Sequence, residues 1–188
     1  MARALSVGGA GVLLVDTFPG ALDEARRLGL PVLQAELMSE HGEERVSGLR
    51  VDYLFAATPD DVYNSLLCTH FAPELGRHRV FQLRPGGEDF DDWAGLSRER
   101  RGELLGDAEC TFRNFRRRYA KGWRFALSKD QESGLVAVRS GGALAFATKE
   151  AGPVSASGED SMLVFMAPQD DAGAHPQPAP RETATLHA

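Results

Sequence analysis

The chain has 188 residues, with 21 Lys plus Arg against 27 Asp plus Glu and a net charge of −6; 43% of it is hydrophobic and 26% charged. That supports one globular domain or two small ones, and the acidic balance argues against a dedicated nucleic-acid binder. The longest apolar run, residues 162–167, is six residues long, whereas a membrane span needs about 20, and Met1-Ala2-Arg3-Ala4-Leu5 lacks the ~7–15-residue apolar core of a signal peptide.

Residues 1–87 read as alternating strands and helices. Residues 11–16, Gly-Val-Leu-Leu-Val-Asp, form an apolar run ending in an acid, the pattern of a strand buried on both faces. Phe18-Pro19-Gly20 interrupts it, and 21–28 reads as a helix with Asp23 placed i,i+4 to Arg27 and Gly29 as its stop. Residues 30–33 form a second strand, with Pro31 tolerable at its start. Residues 39–46 read as a polar, weak helix containing Gly42, and 51–57 as a third strand. Thr58-Pro59-Asp60-Asp61 then offers a hydroxyl N-cap, a proline at the first helical position and acids for the positive end of the helix dipole. Val62, Leu66, Leu67 and Phe71 follow at helical spacing, Pro73 should kink or shorten the last turn, and Gly76 closes the helix. Residues 79–83 are a fourth strand, stopped by Pro85-Gly86-Gly87. Strand–helix–strand repeats with such short connections imply a parallel sheet with right-handed crossovers.

Residues 88–101 form an acidic linker, with Glu88, Asp89, Asp91 and Asp92 around Phe90 and Trp93. Residues 102–167 read as a small α+β module. It holds a strand near 103–105, a helix over 111–121 with Phe112, Phe115 and Tyr119 on one face, and strands at 123–127, 135–138, 143–148 and 162–166. Ser140-Gly141-Gly142 joins the middle pair as a hairpin. Residues 168–188 lack hydrophobic periodicity and are expected to be disordered.

Asp16, Ala35-Glu36 and Thr58 follow strand ends, and the carboxyl edge of a parallel sheet is where such folds hold ligands. A carboxylate at Asp16 suits a ribose diol, or it simply caps the next turn. Thr58 is a ligand contact or a helix cap. Gly8-Gly9-Ala10-Gly11 precedes a strand instead of lying between strand and helix, so it is no phosphate cradle. His41, His70, His78, His175 and His187 are scattered without ligand spacing. Cys68 and Cys110 give neither a disulfide framework nor a metal spacing and read as reduced thiols. No serine sits in G-x-S-x-G and no catalytic constellation is assembled. Arg113, Arg116, Arg117, Arg118 and Lys121 form a basic cluster. Its default role is a solvated helix face; a docking surface for a partner or anionic lipid, or nucleic-acid binding, are the alternatives.

Val12-Leu13-Leu14-Val15-Asp16-Thr17, Ala25-Arg26, Gly29-Leu30-Pro31-Val32, Tyr53-Leu54-Phe55-Ala56-Ala57-Thr58 with Asn64, then Phe71, Gly76 and Val80-Phe81-Gln82-Leu83 occur in the order of a family pattern. The chain resembles the cytosolic C-terminal region of bacterial monovalent cation–proton antiporters of the sodium/proton exchanger type. That region is a nucleotide-binding fold similar to Trk-type and potassium-conductance-regulating domains, followed by a small β module. The resemblance covers about residues 2–167. It implies an α/β fold with a partial Rossmann-like parallel sheet, whose first strand and phosphate loop would lie upstream of residues 2–7 in an N-terminally truncated chain. It further implies adenine-nucleotide contacts (NAD, NADH, ATP or AMP) at Asp16 with Thr17, at Glu36 where the family carries an Asn or Asp after a glycine, and at Thr58. The implied role is ligand-sensing or scaffolding at the inner face of the cell membrane, as a homodimer partnered with the transmembrane antiporter domain, without catalysis and without nucleic acid. An NAD(P)-dependent oxidoreductase fragment and a stand-alone interaction protein using the arginine-rich helix are the alternatives.

Overall fold

The computed structural model describes residues 1–86 and 97–168. The acidic stretch 88–92 with Trp93, and all of the expected disordered tail except Pro168, lie outside the described residues. The chain is mixed α/β, with parallel strands in its first part and antiparallel strands in its second.

α1 (Ala2–Val7) precedes β1 (Leu14–Asp16), α2 (Pro19–Arg27), β2 (Val32–Gln34), α3 (Glu40–Ser47), β3 (Leu54–Ala56), α4 (Asp61–Leu75) and β4 (Val80–Gln82). The parallel strands form two sheets and not one. β1 pairs with β2, Leu14 opposite Val32; β3 pairs with β4, and β4 with β5 (Glu103–Leu104). β5, expected to belong to the small module, is thus an outer strand of the second parallel sheet, opposite β3.

Several local expectations are corrected. In α2 the ion pairs are Asp23–Arg26 and Glu24–Arg27, both i,i+3, in place of Asp23–Arg27. α4 is capped by Asp60, whose carboxylate accepts the Tyr63 N–H at 2.9 Å, two residues after the expected cap at Thr58. α4 also continues through Pro73 to Leu75. So late in the helix the missing N–H removes one ladder bond. Phe71 and Ala72, both buried, hold the last turn against the sheet, and Gly76 N–H closes it on the Ala72 carbonyl.

The core of this part is Ala56, Leu67, Cys68, Phe71, Ala72 and Val80, flanked by Leu37, Val46 and Leu54. Burial pushes the Cys68 thiol up to about 12 and the Cys110 thiol up to about 11; both are free cysteines held as thiols.

The second part begins with α5 (Phe112–Ala120), which Thr111 caps by accepting the Asn114 N–H at 3.1 Å. β6 (Arg124–Ser128), β8 (Val136–Val138), β9 (Leu144–Phe146) and β11 (Ser161–Met166) form an antiparallel sheet in the order β6-β11-β8-β9. β8 and β9 are the expected hairpin around Ser140–Gly142. β7 (Ser133–Gly134) and β10 (Val154–Ser155) make a further two-residue pairing that no sequence period signals.

Side chains alternate across a strand, so Phe125 and Leu127 share a face with Phe165, Leu163 and Val136. α5 sets Phe115 edge-on to Phe125 and Phe165 there, with ring centroids 5.3 and 5.2 Å apart. α1 covers the rest of that core through Leu5, with Met1 and Ala4 beside it. Gly8 closes this contact. A Cβ at Gly8 would stand 2.7 Å from Leu127 Cδ1 and 3.1 Å from Val138 Cγ1, so the glycine lets α1 pack closely onto the sheet.

The two parts are packed together. Phe81 of β4 stacks on Phe146 of β9 at 4.0 Å, and the Tyr53 hydroxyl donates to the Leu144 carbonyl at 3.3 Å. Arg101 pairs with Glu150 at 2.8 Å across the same seam. No helix among the described residues is long and apolar enough to cross a membrane.

Candidate functional site

Asp16 ends β1, and the ladder continues past it when Ala35 N–H bonds the Asp16 carbonyl at 3.2 Å. Asp16 Oδ1 accepts the Phe18 N–H at 2.8 Å, so the carboxylate does cap the following turn. Its Oδ2 has no partner among the described residues. Thr17 is exposed, and its carbonyl accepts from the Gln34 side chain at 3.3 Å, tying the ends of β1 and β2 together. Phe18 is 67% exposed, its ring lying over the first turn of α2 at Gly20.

Glu36 sits two residues beyond β2 in a tight loop. Its Oε1 accepts the Met38 N–H at 3.1 Å and the Tyr63 hydroxyl in a short hydrogen bond. Its carbonyl accepts the Ser39 hydroxyl at 2.6 Å, and Ser39 in turn caps α3 by accepting the Gly42 N–H. Gly42, a weakening residue in the sequence, is required here: a Cβ on it would lie 2.0 Å from the Glu36 carbonyl oxygen. The start of α3 packs directly on the loop that presents Glu36.

Tyr63 is the member of this group that sequence reasoning missed. It stands 27 residues from Glu36, and no local period links the two. Helical side chains in the first turn lean toward the N-terminus, which brings the Tyr63 phenol over the strand ends. Its pKa is raised above the ordinary phenol value, first by burial, then by the hydrogen bond to Glu36 and the negative charges of Glu36 and Asp16. Both carboxylates therefore act on one hydroxyl.

Thr58 lies beside this group but is internally engaged. Its N–H and hydroxyl reach Asn64 Oδ1 at 3.0 and 2.8 Å, the Asn64 amide donates back to the Thr58 carbonyl at 3.0 Å, and Asp60 N–H bonds the Thr58 hydroxyl at 3.2 Å. Asn64 is fully buried. This clasp fixes the turn into α4. Asp61, next to it, accepts the Gly86 N–H at 2.9 Å and so anchors the segment after β4.

Of the four positions singled out in the sequence, Glu36 is thus hydrogen-bonded to Tyr63, Asp16 ends the neighbouring strand with its charge acting on the same phenol, Thr17 follows Asp16, and Thr58 is held in the turn into α4. The group offers acceptor oxygens, a phenol and one exposed ring, and no cation. It can take hydroxyl donors and a flat apolar ring; it supplies nothing for a phosphate. No group of three or more His, Cys, Asp or Glu among the described residues is arranged to hold a metal ion. A solvent-open depression of about 420 Å³ lined by Lys129, Asp130, Gln131, Glu132, Ser155 and Ala156 contains none of these residues. No protein-family model matches the chain, and no curated protein or solved structure matches it.

Proposed function

We propose that the chain is a cytosolic regulatory tail of a monovalent cation–proton antiporter, peripheral to the inner face of the cell membrane. In this reading a partial Rossmann-like fold senses the adenosine part of a nucleotide such as NAD, NADH, ATP or AMP. The observation that carries it is the Glu36–Tyr63 hydrogen bond beyond the carboxyl end of β2, with Asp16 at the carboxyl end of the paired strand β1, where open α/β sheets take their ligands. Asp16 Oδ2 would accept a ribose hydroxyl, and Phe18 offers its ring to the base.

The break between the two parallel sheets supports the same reading. The strands pair as β1-β2 and as β3-β4-β5; laid onto the doubly wound order 3-2-1-4-5-6, β2, β1, β3, β4 and β5 would take places 3, 2, 4, 5 and 6. In that reading the break would fall at place 1, the strand whose phosphate loop the resemblance sets before β1. Recognition by this chain's own residues is correspondingly confined to the adenosine end. Regulation would work by linkage: a nucleotide preferring one arrangement of the tail biases the transporter and a second copy of the tail by that preference. The chain itself neither transports nor catalyses.

Thermal melts with and without NAD, NADH, ATP and AMP test this. A ligand at 100 times its dissociation constant stabilises the folded state by about 2.7 kcal/mol, a rise of several degrees for a domain of this size. A rise with one nucleotide that disappears in Asp16→Ala supports the reading. A cooperative melt that none of the four moves overturns it.

A further inference from the structure

We infer that the exposed cationic arc of α5, formed by Arg113, Arg116, Arg117 and Lys121, is a docking surface for an anionic phospholipid bilayer. At 3.6 residues per turn these four side chains fall within an arc of about 140° on one side of the helix. The opposite side is fixed to the antiparallel sheet by Phe115, which packs on Phe125 and Phe165. The arc therefore faces outward from a rigid support. All four residues are exposed, and none has a partner among the described residues.

The neighbouring cations are engaged otherwise. Arg118 pairs with Glu109 at 3.0 Å and lies over the Trp123 ring at 4.9 Å. Arg124 donates to the Tyr119 and Trp123 carbonyls at 2.9 and 2.8 Å and lies over the Tyr119 ring at 4.0 Å. These contacts account for Arg118 and Arg124 and leave the arc unexplained. The helix dipole does not explain it either. Cations suit the carboxyl end of a helix, which covers Arg117 and Lys121, but Arg113 stands in the first turn, where no acid offsets it. In a chain of net charge −6, four unpaired cations on one fixed face call for an external polyanion.

The form of the surface favours lipid over nucleic acid. Single-stranded nucleic acids are held by open aromatic faces on which bases stack, and here a guanidinium group already covers one face of Trp123 and one of Tyr119. What remains is charge without base readout on the convex side of one helix, with Tyr119, 54% exposed, at its margin. Four basic residues clustered on one exposed helix face form the kind of polybasic surface that an anionic bilayer attracts. The inference does not rest on the nucleotide reading; it uses a different surface.

The test is co-sedimentation of the full chain with phosphatidylcholine vesicles with or without phosphatidylglycerol. Binding is expected only to the vesicles containing phosphatidylglycerol, weakening as salt rises. Arg113→Gln with Arg117→Gln should lower partitioning by about 25-fold, roughly five-fold per cation, with the thermal midpoint unchanged. Arg113→Lys with Arg117→Lys should retain binding, because a diffuse lipid charge is read as charge and not by the bidentate geometry unique to arginine. Equal binding to both vesicle types, undiminished binding of the glutamine variant, or preferential displacement from vesicles by a single-stranded oligonucleotide would each overturn the proposal.

Discussion

In the parallel half, β1, β2 and β3 are three residues each, and β1 and β2 give way to polar loops that face solvent. In the antiparallel half, β11 runs for six residues between β6 and β8 and its side chains close against aromatic rings and α1. The first arrangement sets carboxylates and a phenol at an open edge and holds them with short local bonds. The second buries Val136, Ala137, Met162 and Leu163 to 0% exposure and displays its distinctive charge on the outside of α5. A ligand-sized group of polar side chains thus sits where strands stop, and a broad charged face sits where a helix rides on a completed core.

The largest expected effect lies in that core. Leu163→Ala, at a fully buried position beneath α1, should cost about 2–5 kcal/mol in urea unfolding. A loss below about 1 kcal/mol would mean that the antiparallel sheet is not the rigid half. Gly42→Ala should come next. The added methyl collides with the Glu36 carbonyl, and relief costs about 1–3 kcal/mol. It should also move Glu36 away from Tyr63, so that a tyrosine absorbance titration shows one phenol returning toward its ordinary pKa. Asp60→Ala removes the α4 cap and should cost about 0.5–2 kcal/mol, whereas Thr58→Ser, which keeps the clasp hydroxyl, should cost less.

The seam between the halves should respond to acid. Burial alone would raise the Glu150 carboxyl, but the hydrogen bond that Arg101 donates to it and the Arg101 charge hold it below the ordinary 4.5. A carboxyl depressed in the fold contributes stability above its unfolded pKa and loses it as pH falls through the folded value. Urea midpoints should therefore be insensitive to this pair at neutral pH and decline below about 4.5, and Glu150→Gln should remove part of that decline. An identical acid profile in wild type and variant would exclude Glu150 from the seam.

Much of the element order was legible because its signals are local. Val62, Leu66, Leu67 and Phe71 mark α4 at helical spacing, and the Leu144 and Val138 runs around Ser140–Gly142 mark a hairpin. Asp16 and Glu36 were legible as strand-end acids. The bond from Tyr63 to Glu36 was not, because 27 residues separate the phenol from its acceptor and no local period links them. The cap of α4 misled for a related reason: Thr58-Pro59-Asp60 contains two competent caps, and the buried Asn64 amide claims Thr58 and leaves the helix to Asp60. Gly42 read as a weakness because a close approach between backbones leaves no periodic trace. The splitting of the parallel strands into two sheets was likewise hidden, since each strand looks the same whether its second edge is paired or open.

The most direct test is an amide NMR map of the full chain on addition of AMP, which carries the adenosine shared by all four nucleotides. Saturable shifts at Phe18 and Met38, whose N–H groups bond the Asp16 and Glu36 carboxylates, with the β6–β11 sheet unmoved, would support the carboxyl edge as the ligand site. Shifts centred elsewhere, or none in a chain whose spectrum is that of a folded protein, would contradict it.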